Sequence, residues 1–177
     1  MDLLPTLISS GWASGVNAWA TVLVLGLMGR AGLGSEAVPE QLTETPVLVF
    51  AGIMYVVEFV ADKVPLFDSA WDVGQTFVRP VIGGWVGYEF AGADGVSSVD
   101  QAVAAGGTGA LALASHAVKA SVRLGRDASP EPVTNIGASV GEDFAVAVVT
   151  ALALQQPELA AVIALLLLIV GIGLAIV

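Results

Sequence analysis

Apolar residues run along this chain in six long blocks, separated by short connections that carry charge, glycine or proline. The blocks cover residues 3–28, 46–62, 73–92, 98–120, 134–154 and 158–177. A helix needs roughly 20 mostly apolar residues to cross the hydrocarbon of a bilayer, and each block is near that length. The first block is longer than a crossing requires and is interrupted by Ser9, Ser10, Gly11 and Asn17. The second opens on Pro46, a residue favoured in the first turn of a helix. The fourth is the weakest, mostly Ala and Gly, and the sixth, AAVIALLLLIVGIGLAIV, is almost purely aliphatic. The pattern predicts an all-α, polytopic transmembrane bundle of about six spans, forming one domain over residues 1–177.

Composition agrees with that reading. Apolar residues make up 56% of the chain and charged ones 12%, against roughly 45–50% and 25% in a water-soluble domain. Net charge is −10 with only two lysines, Lys63 and Lys119, so neither the basic footprint of a nucleic-acid binder nor a polybasic lipid-surface patch is present. Acid-rich, lysine-poor loops point to a salt-adapted host. The absence of cysteine removes disulfides and thiolate metal sites. The opening MDLLPTLISS has no basic stretch, so no leader cleavage is expected. With six spans, Lys63, Arg79, Lys119, Arg123 and Arg126 lie on one side, against Arg30 on the other. The positive-inside rule then places both termini in the cytoplasm, in a multi-pass protein of the inner membrane.

Glycines four apart occur at Gly11/Gly15, Gly83/Gly87 and Gly137/Gly141. Such pairs let helix backbones approach closely in lipid, either within the chain or at the seam of a homo-oligomer, of which a dimer is favoured. There is also an internal echo. ASGVNAWATVLVLGL (13–27) parallels ASVGEDFAVAVVTAL (138–152), with Asn17 opposite Glu142, as a parallel repeat would give.

Charge concentrates where the apolar pattern predicts none. EFVADKVPLFDSAWDVGQTFVRP (58–80) holds Glu58, Asp62, Lys63, Asp68, Asp72 and Arg79. Ser69-x-x-Asp72 reads as a capping box for the third span, and Asp62, Lys63 and Asp68 as helix-end and loop charges. Glu58 lies about one turn inside its span, and Arg79 and the pair Glu142–Asp143 lie nearly two turns inside theirs. Charges at such depth are unfavourable unless paired or hydrated, and by default mark functional sites. One structural reading is an ion pair of Arg79 with Glu142 or Asp143. Ser129-Pro130-Glu131 is a helix-start signal. His116, Lys119 and Arg123 fall on one helical face, able to meet acids of the second and fifth spans. A single histidine makes a histidine-based metal site unexpected, and no motif calls for a cofactor.

Three stretches carry a resemblance: ASGVNAW, ADKVPLFDSAWDVGQTFVRPVIGG and SHAVKASVRLG-x-x-ASPEPVTNIGASVGED. Together they are similar to a bacterial integral-membrane family catalogued as domain of unknown function 4126. On that resemblance the motif positions are Asn17, Asp62, Lys63, Asp68, Trp71, Asp72, Arg79, Lys119, Glu142 and Asp143. The resemblance implies a membrane protein and no activity.

Three functions fit these residues. The first is a small transporter or channel whose site gathers Asn17, Glu58, Arg79, Glu142 and Asp143, coupled to a proton or cation, with an ion or small molecule as its substrate. Two adjacent acids at low dielectric compete to ionise, so one of them can carry a proton. The second is a non-catalytic scaffold or partner subunit with a dry, fully paired cluster. The third is an intramembrane hydrolase built on Ser139 of GASVG (137–141) and His116. The strand–turn–helix setting that such a serine motif requires is not expected here.

Overall fold

The computed structural model describes residues 3–34, 38–61, 67–127 and 132–176, the side chains at 67–70, 126–127 and 132–135 excepted. Among the described residues there are seven helices and no strand: α1 (Leu3–Arg30), α2 (Glu40–Thr43), α3 (Thr45–Ala61), α4 (Phe67–Ala93), α5 (Ser98–Asp127), α6 (Pro132–Gln155) and α7 (Pro157–Ile176). The six long helices coincide with the six apolar blocks. The one-turn α2 was not foreseen. Three helices, α1, the segment Ile136–Gln155 of α6, and α7, are long and apolar enough to cross a membrane, and α3 is a shorter apolar helix. That is compatible with a membrane protein. The remaining two, α4 and α5, have the length but carry charges in their interiors.

Local chemistry ends the helices where the chain turns. After α1, Leu33 N–H donates to the Met28 carbonyl and Gly32 N–H to Gly29, with Gly32 at φ 75°. After α4, Val96 donates to Ala91 and Gly95 to Gly92, with Gly95 at φ 76°. Both are Schellman closures that need a left-handed residue. Ser97 then caps α5, accepting from Asp100 N–H while its hydroxyl donates to the Asp100 carboxylate. By contrast α4 is already helical at Ser69 and Asp72, so the capping box read from the sequence is not one.

The departure from expectation is α1. Asn17 has φ −152° and ψ 101°, an extended conformation that splits α1 into two arms, 3–16 and 18–30. The arms point in opposite directions. Along the first, Gly11 lies against Thr108 and Leu111, Gly15 against Ala112 and Ser115, and Val16 meets Lys119, so this arm runs parallel to α5. Along the second, Asn17 meets Asp143 and Gly34 meets Leu154, parallel to α6. It is antiparallel to α3, with Trp19 on Phe50 and Arg30 on Thr45. Leu3 and Leu7 consequently pack onto the same apolar cluster as Leu25, Leu42 and Phe90. The first block is a helical hairpin with its tip in the middle of the bundle, not one straight span. The ends of α1 and α7 therefore lie at opposite ends of the molecule. The internal echo is not matched along its whole length: 138–152 is one continuous helix, whereas 13–27 bends at Asn17.

Helices α3 to α7 surround this hairpin, whose most apolar window is 78% buried, against 17% for α7. Small residues permit the central contacts. A Cβ at Gly83, Gly84, Gly87 or Gly109 would meet the facing atoms of the α4–α5 pair, and one at Gly11 or Gly15 those of α5. Two of the three predicted glycine pairs thus serve packing within the chain. Gly137 and Gly141 of the third meet nothing within 4 Å.

Polarity is inverted relative to a protein folded in water. Asn17, Thr21, Glu58 and Arg79 are fully buried, while Phe77 is 73%, Phe144 70% and Ile176 80% exposed. In water, charged side chains are almost never fully buried and large exposed apolar belts are rare.

Candidate functional site

The site begins with the backbone at the hairpin tip. Breaking a helix leaves the last carbonyls of the first arm and the first N–H groups of the second without intrahelical partners. In an apolar interior each of these must be satisfied. Asn17 serves the second arm as its N-cap, its Oδ1 accepting from Ala20 N–H at 2.9 Å. Three side chains from α4 and α5 donate to carbonyls at the end of the first arm. Ser115 Oγ donates to the Trp12 carbonyl at 2.9 Å, Arg79 Nη1 to Gly15 at 2.8 Å, and Lys119 Nζ to Val16 at 2.9 Å. Placing two cations at the carbonyl end of a helical arm also agrees with its dipole.

Each cation then reaches a carboxylate. Arg79 Nη2 lies 2.6 Å from Glu58 Oε1, with both side chains fully buried, and 4.0 Å from Asp72 Oδ1. Arg123 Nη1 donates to Asp72 Oδ2 at 2.9 Å. Lys119 Nζ lies 3.2 Å from Glu142 Oε2. Asn17 Nδ2 donates to Asp143 Oδ1 at 2.9 Å, which joins the hairpin tip to α6. A buried charge held by this many partners is tolerated, but removing one partner strands the other.

His116 lies between Arg79 and Thr76. Its Nδ1 is 2.8 Å from Arg79 Nη1 and its Nε2 3.1 Å from Thr76 Oγ1. A guanidinium only donates, so Nδ1 accepts. The hydroxyl of Thr76 donates to the Asp72 carbonyl at 2.9 Å, which leaves its oxygen to accept from Nε2–H. The imidazole in this arrangement is neutral. Among the described residues the cluster thus holds three cations, Arg79, Lys119 and Arg123, and four carboxylates, Glu58, Asp72, Glu142 and Asp143, for a formal charge of −1.

Two cavities border the cluster on opposite faces of α5. One of about 460 Å³ lies among α1, α5, α6 and α7, with Lys119 and Glu142 in a lining that is otherwise apolar apart from Ser115. The other, about 290 Å³, is lined by Asp72, Thr76, His116 and Arg123 with three apolar residues of α4 and α5.

The structure brings together Asn17, Glu58, Asp72, Arg79, His116, Lys119, Glu142 and Asp143 of the residues singled out from sequence. Asp62 and Lys63, the side chain of Asp68, and the Ser129-Pro130-Glu131 signal lie outside the described residues. Three expectations change. Arg79 pairs with Glu58, not with Glu142 or Asp143. Asp72 belongs to the cluster instead of to a cap. Arg79, Lys119 and Arg123 are internal partners of carbonyls and carboxylates, so the positive-inside count loses three of its five positives. Thr76 and Ser115 were missed, as were the backbone acceptors at Trp12, Gly15 and Val16; only the Ser–Gly–Asn interruption of the first block hinted at the last of these. The Ser139–His116 dyad is not formed. Both ring nitrogens of His116 are engaged elsewhere, and Ser139 Oγ, on a continuous helix, makes no hydrogen bond among the described residues.

The model of one family, described as a domain of unknown function (DUF4126), matches residues 4–176. The chain belongs to the DUF4126 family. No curated protein and no solved structure matches it. In this DUF4126 chain, seven of the ten motif positions named from sequence have described side chains, and six of those seven are members of the network; the seventh, Trp71, stands one residue before Asp72.

Proposed function

We propose that this chain is a small integral-membrane transporter or channel, with α3 to α7 crossing the bilayer and α1 entering as a hairpin that returns to the side it came from. A proton or cation couples through Glu142 and Asp143. The observation that carries this reading is the broken helix, held at its tip by an ionised network with a cavity on either side. Discontinuous helices whose ends meet charges near the bilayer midplane are how secondary transporters build ion and substrate sites. Irregular backbone at such depth is tolerated where it is buried in protein or lines a cavity.

The coupling follows from the contacts. Glu142 holds Lys119, which holds the Val16 carbonyl; Asp143 holds Asn17, which caps the second arm. A proton or cation arriving at either carboxylate weakens its pull on the tip and frees it to shift beside the larger cavity, which Trp12 and Val16 of α1 line. One observation favours a second reading, a scaffold subunit: every cation of the cluster has a carboxylate within 4.0 Å, as fold-only ion pairs would.

Charge movement in proteoliposomes across a pH or cation gradient separates the two. Transport predicts a current that the Glu142→Gln/Asp143→Asn double variant loses while still folding. No current in either protein, with the double variant markedly less stable, would make the network structural.

A further inference from the structure

The larger cavity is long, apolar and without net charge. On α5 its lining runs from Ser115 to Val122 and on α7 from Leu167 to Leu174, about 10 Å along either helix at about 1.5 Å per residue. Its charged lining residues are Lys119 and Glu142, of opposite sign and 3.2 Å apart. Ser115 already donates to the Trp12 carbonyl. The Lys119 side chain is 3% exposed and turned into the bundle, onto the Val16 carbonyl, whereas that of Glu142 is 24% exposed; the polar surface an occupant meets is carboxylate. Helices α5 and α6 hardly touch each other, while α7 packs on both, so the cavity lies in a gap between helices. Their outward residues include Leu113, Leu124, Val140 and Phe144, all exposed and suited to acyl chains.

We infer that this cavity binds an uncharged amphiphile taken up from the bilayer, a molecule with one hydrocarbon chain and a head that donates a hydrogen bond to Glu142, such as a long-chain alcohol. This rests on the transport reading and names the substrate class for that same site.

Charge decides first. An anion or a cation would give up water for apolar walls and an ion pair already balanced, with no net counter-charge in the lining to offset the loss. An uncharged molecule leaves the Lys119–Glu142 pair as it stands. Shape decides next. The volume of about 460 Å³ lies within the roughly 300–1,000 Å³ of small-molecule sites, and its length along α5 and α7 suits an extended chain lying against aliphatic side chains. The head follows from what it meets. A carboxylate only accepts, at about four lone-pair positions, so the group beside Glu142 is a donor, and a hydroxyl donates without bringing a charge. The gap between α5 and α6 supplies the approach from the bilayer. In the transport reading the coupled proton or cation carries the charge, so the substrate itself needs none.

The test uses the whole chain in nanodiscs and four radiolabelled probes with the same chain: decanol, its methyl ether, decyl sulfate and decyltrimethylammonium. Empty nanodiscs give the partitioning baseline. Saturable decanol binding is expected, at least fivefold weaker for the ether, which cannot donate, and absent for the two ions. Ala145→Trp, which fills the cavity, should abolish it. No saturable decanol binding, an ether that binds as well as the alcohol, or an ion that binds as tightly as the alcohol overturns the proposal without recourse to a variant. So does decanol binding that Ala145→Trp leaves unchanged. The transport reading fails separately. Saturable decanol binding without charge movement under any gradient keeps the site and sinks transport. A gradient-driven current with no saturable decanol binding keeps transport and sinks this substrate class.

Discussion

Replacing Asn17 tests whether the hairpin tip is held as described. Its Oδ1 caps the second arm at Ala20 and its Nδ2 donates to Asp143. Loss of an N-cap costs about 1 kcal/mol. A hydrogen bond to an ionised group is worth about 1.5–3 kcal/mol in soluble proteins, but interhelical polar contacts in a membrane bundle average only about 0.6, with a maximum near 1.7 kcal/mol. The Asp143 bond is buried and charge-assisted, so about 1–1.5 kcal/mol is the appropriate share. Asn17→Ala should therefore destabilise by about 2–2.5 kcal/mol. Ser keeps the cap but is too short to reach Asp143, so Asn17→Ser should lose only the second share, about 1–1.5 kcal/mol. Asn17→Asp keeps the cap and sets a carboxylate against Asp143, so it should be the worst of the three. Reversible unfolding in mixed micelles, followed by circular dichroism, measures all three. The order Asp worse than Ala worse than Ser is the signature. An Ala variant as stable as the wild type, or more so, would mean that a continuous helix is available to α1, and the argument for an imposed break would fail.

The remaining predictions use other parts of the network. Arg79→Ala leaves Glu58 buried without its guanidinium and should lose about 3–5 kcal/mol, whereas Arg79→Met with Glu58→Leu removes both charges and should recover only part of that loss, because the Gly15 carbonyl still lacks its donor; folded yield after heating in detergent reports it. Gly15→Ala places a methyl group on the Ala112 carbonyl and Ser115 and should sharply lower the unfolding midpoint, while Gly137→Ala, which meets nothing within 4 Å, should leave it within about 0.5 kcal/mol of wild type. The chain has no cysteine, so single cysteines report sidedness directly. Leu4→Cys should react with an impermeant maleimide from the same side as Asp94→Cys and from the opposite side to Gly125→Cys; a Leu4→Cys that reacts with Gly125→Cys would restore a straight first span.

What could be read from the sequence follows a physical division. Apolar length is local, so the six blocks and the six long helices agree. Depth of charge is also local, so Glu58, Arg79, Glu142 and Asp143 stood out before any packing was known. Pairing is not local. Whether Arg79 meets Glu58 or Glu142 depends on the order of helices around the bundle, which no periodicity encodes. The fold-back at Asn17 is hidden for a related reason. Both arms are apolar and helical, and the forces that turn the chain are donors from residues 79, 115 and 119 acting on carbonyls, which every residue carries alike. The Ser69-x-x-Asp72 reading failed because α4 begins earlier than its apolar portion, and α2 was missed because a single turn leaves no periodic trace.

The hairpin of α1 is synthesised before the helices that enclose it, and in the finished fold it is 78% buried over its apolar window. The helices that enclose it, α4 to α7, emerge from the ribosome after it. On the transmembrane reading proposed above, the Asn17 tip and its open carbonyls must wait during biogenesis, either shielded at the membrane surface or drawn out as a provisional straight span, until Arg79 and then Lys119 have been made. Assembly of this protein is in that sense a rearrangement. The N-terminal segment is repositioned late, around side chains encoded some 60 to 100 residues downstream, and a chain arrested before α5 should hold α1 in a different place from the finished molecule.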